Sequence, residues 1–309
     1  MKRVVVTGAG GFVGRHCCAE LLTHGFEVHG LYSLHSASVV NRHPQIIPHA
    51  VDLFDSPRVE ERLQQIRATH LLHLAWIATP GEFWTSPKNL DWAAASRQLV
   101  HAFCDAGGQR VVATGSCAEY DWKDGCCSET RTPIRPGSIY GTAKNSFHEH
   151  LTNYSRQVDL STAWARLFFL YGPHASAQRL PGAIIEPLLQ GKTAPCSSGE
   201  LQRDYVYIAD AAAAICRLLD SDVIGSVNIA SGTPIRLRDM IQICARQIGR
   251  EDLVAWGAIP SGNEAPLVAG DSRRLREELG WSPRVSLEDG LRMTIDWWRT
   301  QRRDFRDAA

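Results

Sequence analysis

Val4-Val5-Val6-Thr7-Gly8-Ala9-Gly10-Gly11-Phe12-Val13-Gly14 is the stretch whose reading decides the fold. An apolar β-branched run ends in a turn with glycine at positions 8, 11 and 14. A helical pattern follows, Arg15 to His24, with Cys18, Leu21 and Leu22 on its apolar side. This predicts a buried strand, a tight turn and a helix whose N-terminus is left open. Free N–H groups and the helix dipole then hold negative charge, and the glycines let the backbone approach a pyrophosphate. Gly14 lets the helix pack closely on the strand. Glycine alone is weak evidence, because any tight turn uses it. The strand before and the helix after supply the context that a dinucleotide site demands.

Outward from this stretch the strand–helix rhythm repeats. Glu27–Tyr32 reads as a second strand and Ile46–Val51 as a third, ending at Asp52-Leu53. Ser56-Pro57 opens a helix with Val59, Leu63 and Ile66 at helical spacing. His70–Trp76 is a fourth strand, whose histidines read as structural rather than as ligands. The segment Ile77–Asn89, with Phe83 and Trp84, reads as a loop lining a pocket. A helix is expected over Trp92–Ala106, a fifth strand over Arg110–Ser116, a helix opening at Tyr140 and a sixth strand over Leu160–Phe169. Strands alternating with helices, without strict polar alternation, specify a doubly wound parallel α/β sheet. Beyond Tyr171-Gly172-Pro173 the rhythm changes. Short strands are expected at Arg203–Ile208 and Val227–Ile229, and Asp210 is expected to cap a helix over Ala211–Leu219. Ser286 and Asp289 resemble a capping box for a last helix, Leu287–Arg299. The expected division is a dinucleotide-binding domain over 1–170 and a substrate-binding domain over 171–309.

Lys plus Arg and Asp plus Glu balance at 33 each, which gives no support for nucleic acid or an acidic membrane as partner. No apolar run reaches the length of a membrane span. The first strand begins almost at Met1, leaving no room for a signal peptide. Nine cysteines are scattered without zinc-ligand spacing. Reduced thiols and a cytoplasmic protein without a bound metal are the expectation.

Three side chains carry the candidate chemistry: Ser116 at a strand end, and Tyr140 with Lys144 one helical turn apart. A phenol is a poor base near neutrality, and a nearby ammonium stabilises the phenolate. Ser116 can bind the same substrate oxygen. The set suits proton transfer to or from a carbonyl or alcohol while a nicotinamide exchanges hydride. No carboxylate ends the second strand, where an acid would bind a ribose 2′-hydroxyl; Tyr32 stands there, followed by Ser33, His35 and Ser36. With Arg15 just past the glycines, this favours NADP over NAD.

The chain resembles an extended short-chain dehydrogenase/reductase of the nucleotide-sugar epimerase/dehydratase group. The resemblance runs along nearly the whole length. It rests on Thr7–Gly14, Asp52-Leu53, His73-Leu74-Ala75, Ser116 before Tyr120, Tyr140–Lys144, Tyr171-Gly172-Pro173, Arg203–Tyr207 and Leu279–Pro283. It implies a Rossmann-type sheet with a smaller C-terminal α/β region. It implies Tyr140 as acid/base, Lys144 also on the nicotinamide ribose, and Ser116 on the sugar's reacting oxygen. Cofactor contacts are expected at Gly8, Gly11, Phe12, Val13, Gly14, Arg15, Tyr32, Ser33, Asp52, Leu53, Leu74, Ala75 and Trp76. Substrate contacts are expected at Thr79, Ser116, Arg179 and Arg203, the last on a nucleotide-sugar diphosphate. A homodimer through the two helices that precede and carry the tyrosine is also implied.

Departures narrow the reaction. The group's 4,6-dehydratases have an Asp-Glu pair after the strand-end hydroxyl; Cys117-Ala118 stands here, which disfavours dehydration. Glu119 remains as an acid near the site, readable equally as structural. An arginine often found near Gly262-Asn263-Glu264 is missing. The segment from Trp256 to Trp281 is similar to reductases of nucleotide-linked 4-keto-6-deoxyhexoses. That favours a reductase, with a C4 epimerase as the alternative and a non-catalytic NADP sensor as the distant one. Replacing Tyr32 with Asp is expected to shift preference from NADP toward NAD, because the carboxylate repels a 2′-phosphate and accepts from a free hydroxyl. Fluorescence titration of both cofactors measures it.

Overall fold

The structure, a computed structural model, describes residues 2–33, 43–260, 262 and 264–307. His35, Ser36 and Asn263 lie outside the described residues. A seven-stranded sheet forms from β1 (Arg3–Thr7), β2 (Glu27–Tyr32), β3 (Ile47–Ala50), β4 (His70–His73), β5 (Arg110–Ser116), β6 (Ser161–Leu167) and β7 (Gly225–Ile229). Its order is β7-β6-β5-β4-β1-β2-β3, and every neighbouring pair is parallel. The chain runs outward from β1 through β2 to β3, then returns to β4 on β1's other side. The strand order therefore reverses between β1 and β4, which opens a crevice at their carboxyl ends.

Alternation along β1 explains why both faces are covered. Val4 and Val6 pack against Cys17, Cys18 and Leu21 of α1 (Phe12–Thr23). Val5 faces the opposite layer, built from α2 (Ser56–Ile66), α3 (Lys88–Asp105) and α4 (Ile139–Gln157). Leu63, Phe103 and Phe147 supply its bulk. A separate cluster joins α5 (Gly182–Leu189), α6 (Ile208–Leu219), α7 (Leu237–Ile248) and α9 (Leu287–Asp307) through Ile185, Ile208, Met240 and Leu291. The short α8 (Arg273–Glu277) lies against β7. All nine cysteines are free thiols. Among the described residues no helix is long and apolar enough to cross a membrane.

Several expectations are corrected. The sixth strand ends at Leu167, and Phe169–Tyr171 forms a separate strand paired with Tyr205–Tyr207. Gly225–Ile229, expected as a short strand beyond the change of rhythm, adds β7 to the edge of the main sheet beside β6. Helix α3 starts at Lys88, earlier than the apolar pattern suggests. Helix α6 starts at Ile208, so Asp210 lies in its first turn and is no N-cap. The Asp210 carboxylate instead accepts from the N–H groups of Arg284 and Val285, at 3.1 and 3.0 Å, and so ties down the chain before α9.

Candidate active site

The turn after β1 is shaped as a cradle. Gly8 has φ +67°, and a Cβ there would meet the Ala75 nitrogen at 3.0 Å. A Cβ on Gly14 would meet the Gly8 carbonyl oxygen at 2.0 Å, so α1 can lie on the turn only with glycine there. Gly11 is the N-cap of α1, with no capping side chain, and the first turn holds no acid. Its N–H groups are those that an anion satisfies. These features fit a dinucleotide pyrophosphate.

Around the cradle stand the other expected cofactor residues. The Thr7 hydroxyl oxygen accepts from the Leu74 and Ala75 N–H groups at 3.1 and 3.2 Å. It also meets His73 Nδ1 at 2.8 Å, while His73 Nε2 meets Ser96 Oγ at 2.8 Å. Ser96 donates its own proton to the Trp92 carbonyl. His73 therefore donates from Nε2 and accepts from Thr7 at Nδ1. Burial, with Lys144 nearby, holds its pKa down to about 3, so it is an uncharged strut joining β1, β4 and α3. Tyr32 ends β2, one residue beyond the Leu31–Thr7 pair, with Ser33 exposed after it. Asp52 is exposed and accepts from the Phe54 N–H, and Leu53 is buried. Arg15 meets His174 Nδ1 at 2.7 Å and donates to the Gly10 carbonyl at 3.0 Å, so it joins the turn to the segment after Gly172. A cleft of about 990 Å³ opens past β4, lined by Phe54, Trp76, Thr79, Lys88 and Trp92.

Ser116, Tyr140 and Lys144 come together at the carboxyl end of β5. Ser116 is the last residue of β5 and caps the short turn after it, its hydroxyl accepting from the Ala118 N–H at 3.2 Å. Ser138 caps α4, its hydroxyl accepting from the Gly141 N–H, which fixes the turn that carries Tyr140. Gly141 is required there, because a Cβ would meet the Ala118 carbonyl oxygen at 2.4 Å. Burial pushes the Tyr140 phenol above its ordinary value, while a hydrogen bond with Ser116 and the charge of Arg179 pull the other way. Lys144 is buried, and burial pulls its pKa down to about 7 against the attraction of Glu119. Its Nζ donates to the Thr114 carbonyl at 2.8 Å and sits 3.9 Å from the centre of the Trp76 ring.

Glu119 resolves as structural. It is fully buried and accepts from Arg166 Nε at 2.8 Å, from Trp164 Nε1 at 3.0 Å and from the Ser116 N–H at 2.7 Å. Arg166 in turn donates to the Tyr120 hydroxyl, and Tyr120 donates to Asn228 on β7. With its oxygens so engaged, Glu119 is no free acid for substrate. Cys117 is buried among Phe168, Cys127 and Val268, and burial raises its thiol pKa. Nothing at 117–119 replaces the Asp-Glu pair of a dehydratase.

The expected substrate residues are spread more widely. Arg179 donates to the Ala78 carbonyl at 2.9 Å and lies 5.1 Å over the Phe83 ring. Phe83 and Trp84 both meet Tyr140 edge to face, at 5.0 and 5.7 Å between ring centres. The pocket-lining loop 77–89 thus reaches Tyr140, a contact foreshadowed only by its aromatic content. Asn89 holds that loop, donating to the Phe83 and Ser86 carbonyls and accepting from Trp76 Nε1 at 2.8 Å. Arg203 is buried on a separate small sheet, over the ring of Phe169.

Two outcomes follow from this geometry. Glu119→Gln removes the partner of a buried guanidinium and is expected to cost on the order of 3–5 kcal/mol in denaturant unfolding. The second concerns Lys144, which the unfolded chain holds protonated up to 10.5 and the folded cofactor-free protein up to about 7. Between those values the unfolded state binds the extra proton, so stability is expected to rise with pH from about 7 and level off by about 10. Unfolding of Lys144→Met across the same range is expected to lack that rise.

The NAD dependent epimerase/dehydratase family model matches residues 4–230. The UDP-glucose 4-epimerase of Bacillus subtilis is 25% identical, covering 96% of each chain. The dTDP-glucose 4,6-dehydratase of Neisseria meningitidis is 26% identical, covering 96% of this chain and 93% of its own. The solved UDP-glucose 4-epimerase of Thermus thermophilus, in complex with NAD, superposes with a TM-score of 0.83 at 26% identity, covering 96% of this chain and 99% of that one. With its parallel seven-stranded sheet and glycine turn, the chain belongs to the NAD-dependent epimerase/dehydratase family of nucleotide-sugar enzymes.

Proposed function

We propose that this chain is an oxidoreductase acting at C4 of a nucleotide-linked hexose, with Ser116, Tyr140 and Lys144 as its catalytic residues. The observation that carries the reading is their meeting at the end of β5, with the Glu119 carboxylate engaged by Arg166. A dinucleotide held by the glycine turn supplies a hydride acceptor and donor at its nicotinamide ring. Tyr140 holds the proton that moves to or from the sugar oxygen. Ser116 orients that oxygen by a hydrogen bond. Lys144, freed from the Thr114 carbonyl, supplies positive charge that favours the phenolate and binds the nicotinamide ribose. Thr79 and Arg179 hold the sugar, and Arg203 the diphosphate; residues 171–309 supply most of the nucleotide side.

The relatives' names favour a 4-epimerase, which uses this set twice. A second reading, reduction of a 4-keto-6-deoxyhexose, is favoured by the aromatic edge of Phe83 and Trp84 beside Tyr140, a surface suited to a methyl group rather than a hydroxyl. NADP is retained as the proposed cofactor for that reading, on the missing carboxylate at Tyr32; NAD suits the epimerase. Stoichiometry separates the two. A reductase consumes one NADPH per sugar, whereas an epimerase shows no net absorbance change. In either case Tyr140→Phe is expected to bind cofactor and nucleotide sugar normally and to lose on the order of a hundredfold or more in turnover. Full activity in that variant would overturn the assignment.

A further inference from the structure

Tyr140 and Lys144 lie one turn apart on α4, and a second path joins them through space. It begins at the Tyr140 N–H, which donates to the Trp84 carbonyl at 3.3 Å. It runs along the loop 77–89 to Asn89, which is wholly buried. The Asn89 amide nitrogen donates to the Phe83 and Ser86 carbonyls at 2.7 and 2.8 Å, and its oxygen accepts from the Trp76 indole at 2.8 Å. Two acceptors and one donor leave that amide a single orientation. The path closes where Lys144 Nζ sits 3.9 Å from the centre of the Trp76 ring. Phe147 on α4, stacked at 6.5 Å between ring centres, and Trp92 on α3, at 6.3 Å, confine the ring. The titratable groups around Lys144 are Glu119 after β5, His73 on β4 and Tyr140 on its own helix. Glu119 favours the ammonium but is shared with Arg166, and His73 is uncharged. The negative face of an indole holds a cation more strongly where water is excluded, and Lys144 is buried.

We propose that Trp76 is a positioning residue for the catalytic pair: its ring holds the Lys144 ammonium beside β5, and Asn89 fixes that ring with the same amide that holds the loop against Tyr140. The inference deepens the Ser116–Tyr140–Lys144 reading above. The ring favours the charged amine, and the charged amine favours the phenolate. A displacement of the loop 77–89 therefore reaches both groups at once, Tyr140 through the Trp84 carbonyl and the Phe83 and Trp84 rings, and Lys144 through Asn89 and Trp76.

Denaturant unfolding of the cofactor-free protein across pH tests this, because Lys144 marks itself there by a rise in stability that begins at about 7. Trp76→Leu keeps the place apolar and removes the ring face. With less support for the ammonium, the folded protein releases the proton earlier, and the rise is expected to begin about one pH unit lower. Trp76→Met, closer in volume, carries the same test where Trp76→Leu does not fold. Trp76→Phe keeps a ring face and is expected to return the onset toward its original place. Asn89→Leu frees the ring to turn, and its onset is expected to move down by a smaller amount. A merely structural role lowers stability alike at every pH and leaves the onset where it was; that result in the Trp76 variants lacking a ring, or in Asn89→Leu, overturns the inference. Trp76→Leu combined with Lys144→Met is expected to show no rise, and a shifted rise that persists there overturns the inference as well. None of these measurements needs turnover, so the catalytic reading stands or falls separately on Tyr140→Phe.

Discussion

The buried pair of Glu119 and Arg166 is the constraint on which the site depends. One carboxylate, without solvent, ties the backbone of Ser116 to an arginine and a tryptophan on the neighbouring strand β6. The same network reaches Asn228 on β7 through Tyr120. It fixes the end of β5, where the strand must stop and present a hydroxyl. Gly115 is part of this constraint: a Cβ there would meet Trp164 Nε1 at 2.2 Å and Glu119 Oε1 at 2.4 Å. Burying such a pair is not a cheap way to gain stability. Its value here is positional, because it sets Ser116 against the turn that carries Tyr140.

A second constraint holds the cofactor side. Thr7, His73 and Ser96 form a chain of hydrogen bonds in which each donor and acceptor role is determined by its neighbour. This chain brings the backbone after β4 against the glycine turn, where Gly8 leaves room for Ala75. This network spans the strand-order reversal, joining β1 to β4, whereas the Glu119 network lies on one side of it, across β5, β6 and β7. Between them sits Lys144, which reaches the Thr114 carbonyl on β5 and the Trp76 ring after β4. Its lowered pKa follows from this burial, and an electronegative ligand at the ribose position would restore its charge.

What the sequence discloses is what local spacing encodes. The glycine turn, α1 and the pairing of Tyr140 with Lys144 are each contained within a few residues, and periodicity is enough to place them. The alternation of strands and helices likewise specifies the parallel sheet. The roles that escape it depend on partners far away in the chain. Glu119 is ambiguous in sequence because Arg166 and Trp164 lie more than 40 residues on. Asp210 looks like a cap until the N–H groups of residues 284 and 285 claim it. Strand β7 is short and follows a segment of different rhythm, so only its pairing with β6 reveals where it belongs. Arg203 carries its expected charge, but its engagement by Glu264 is a contact across 61 residues that no motif announces.

The central claim is that one crevice holds both the dinucleotide and the Ser116–Tyr140–Lys144 set, face to face. A crystal structure of the protein grown with NAD tests it most directly. The account predicts the pyrophosphate against the N–H groups of Phe12 and Val13, and the nicotinamide ring beside the Tyr140 hydroxyl with Lys144 turned to its ribose. A dinucleotide bound away from the glycine turn, or a nicotinamide facing away from Tyr140, would contradict it.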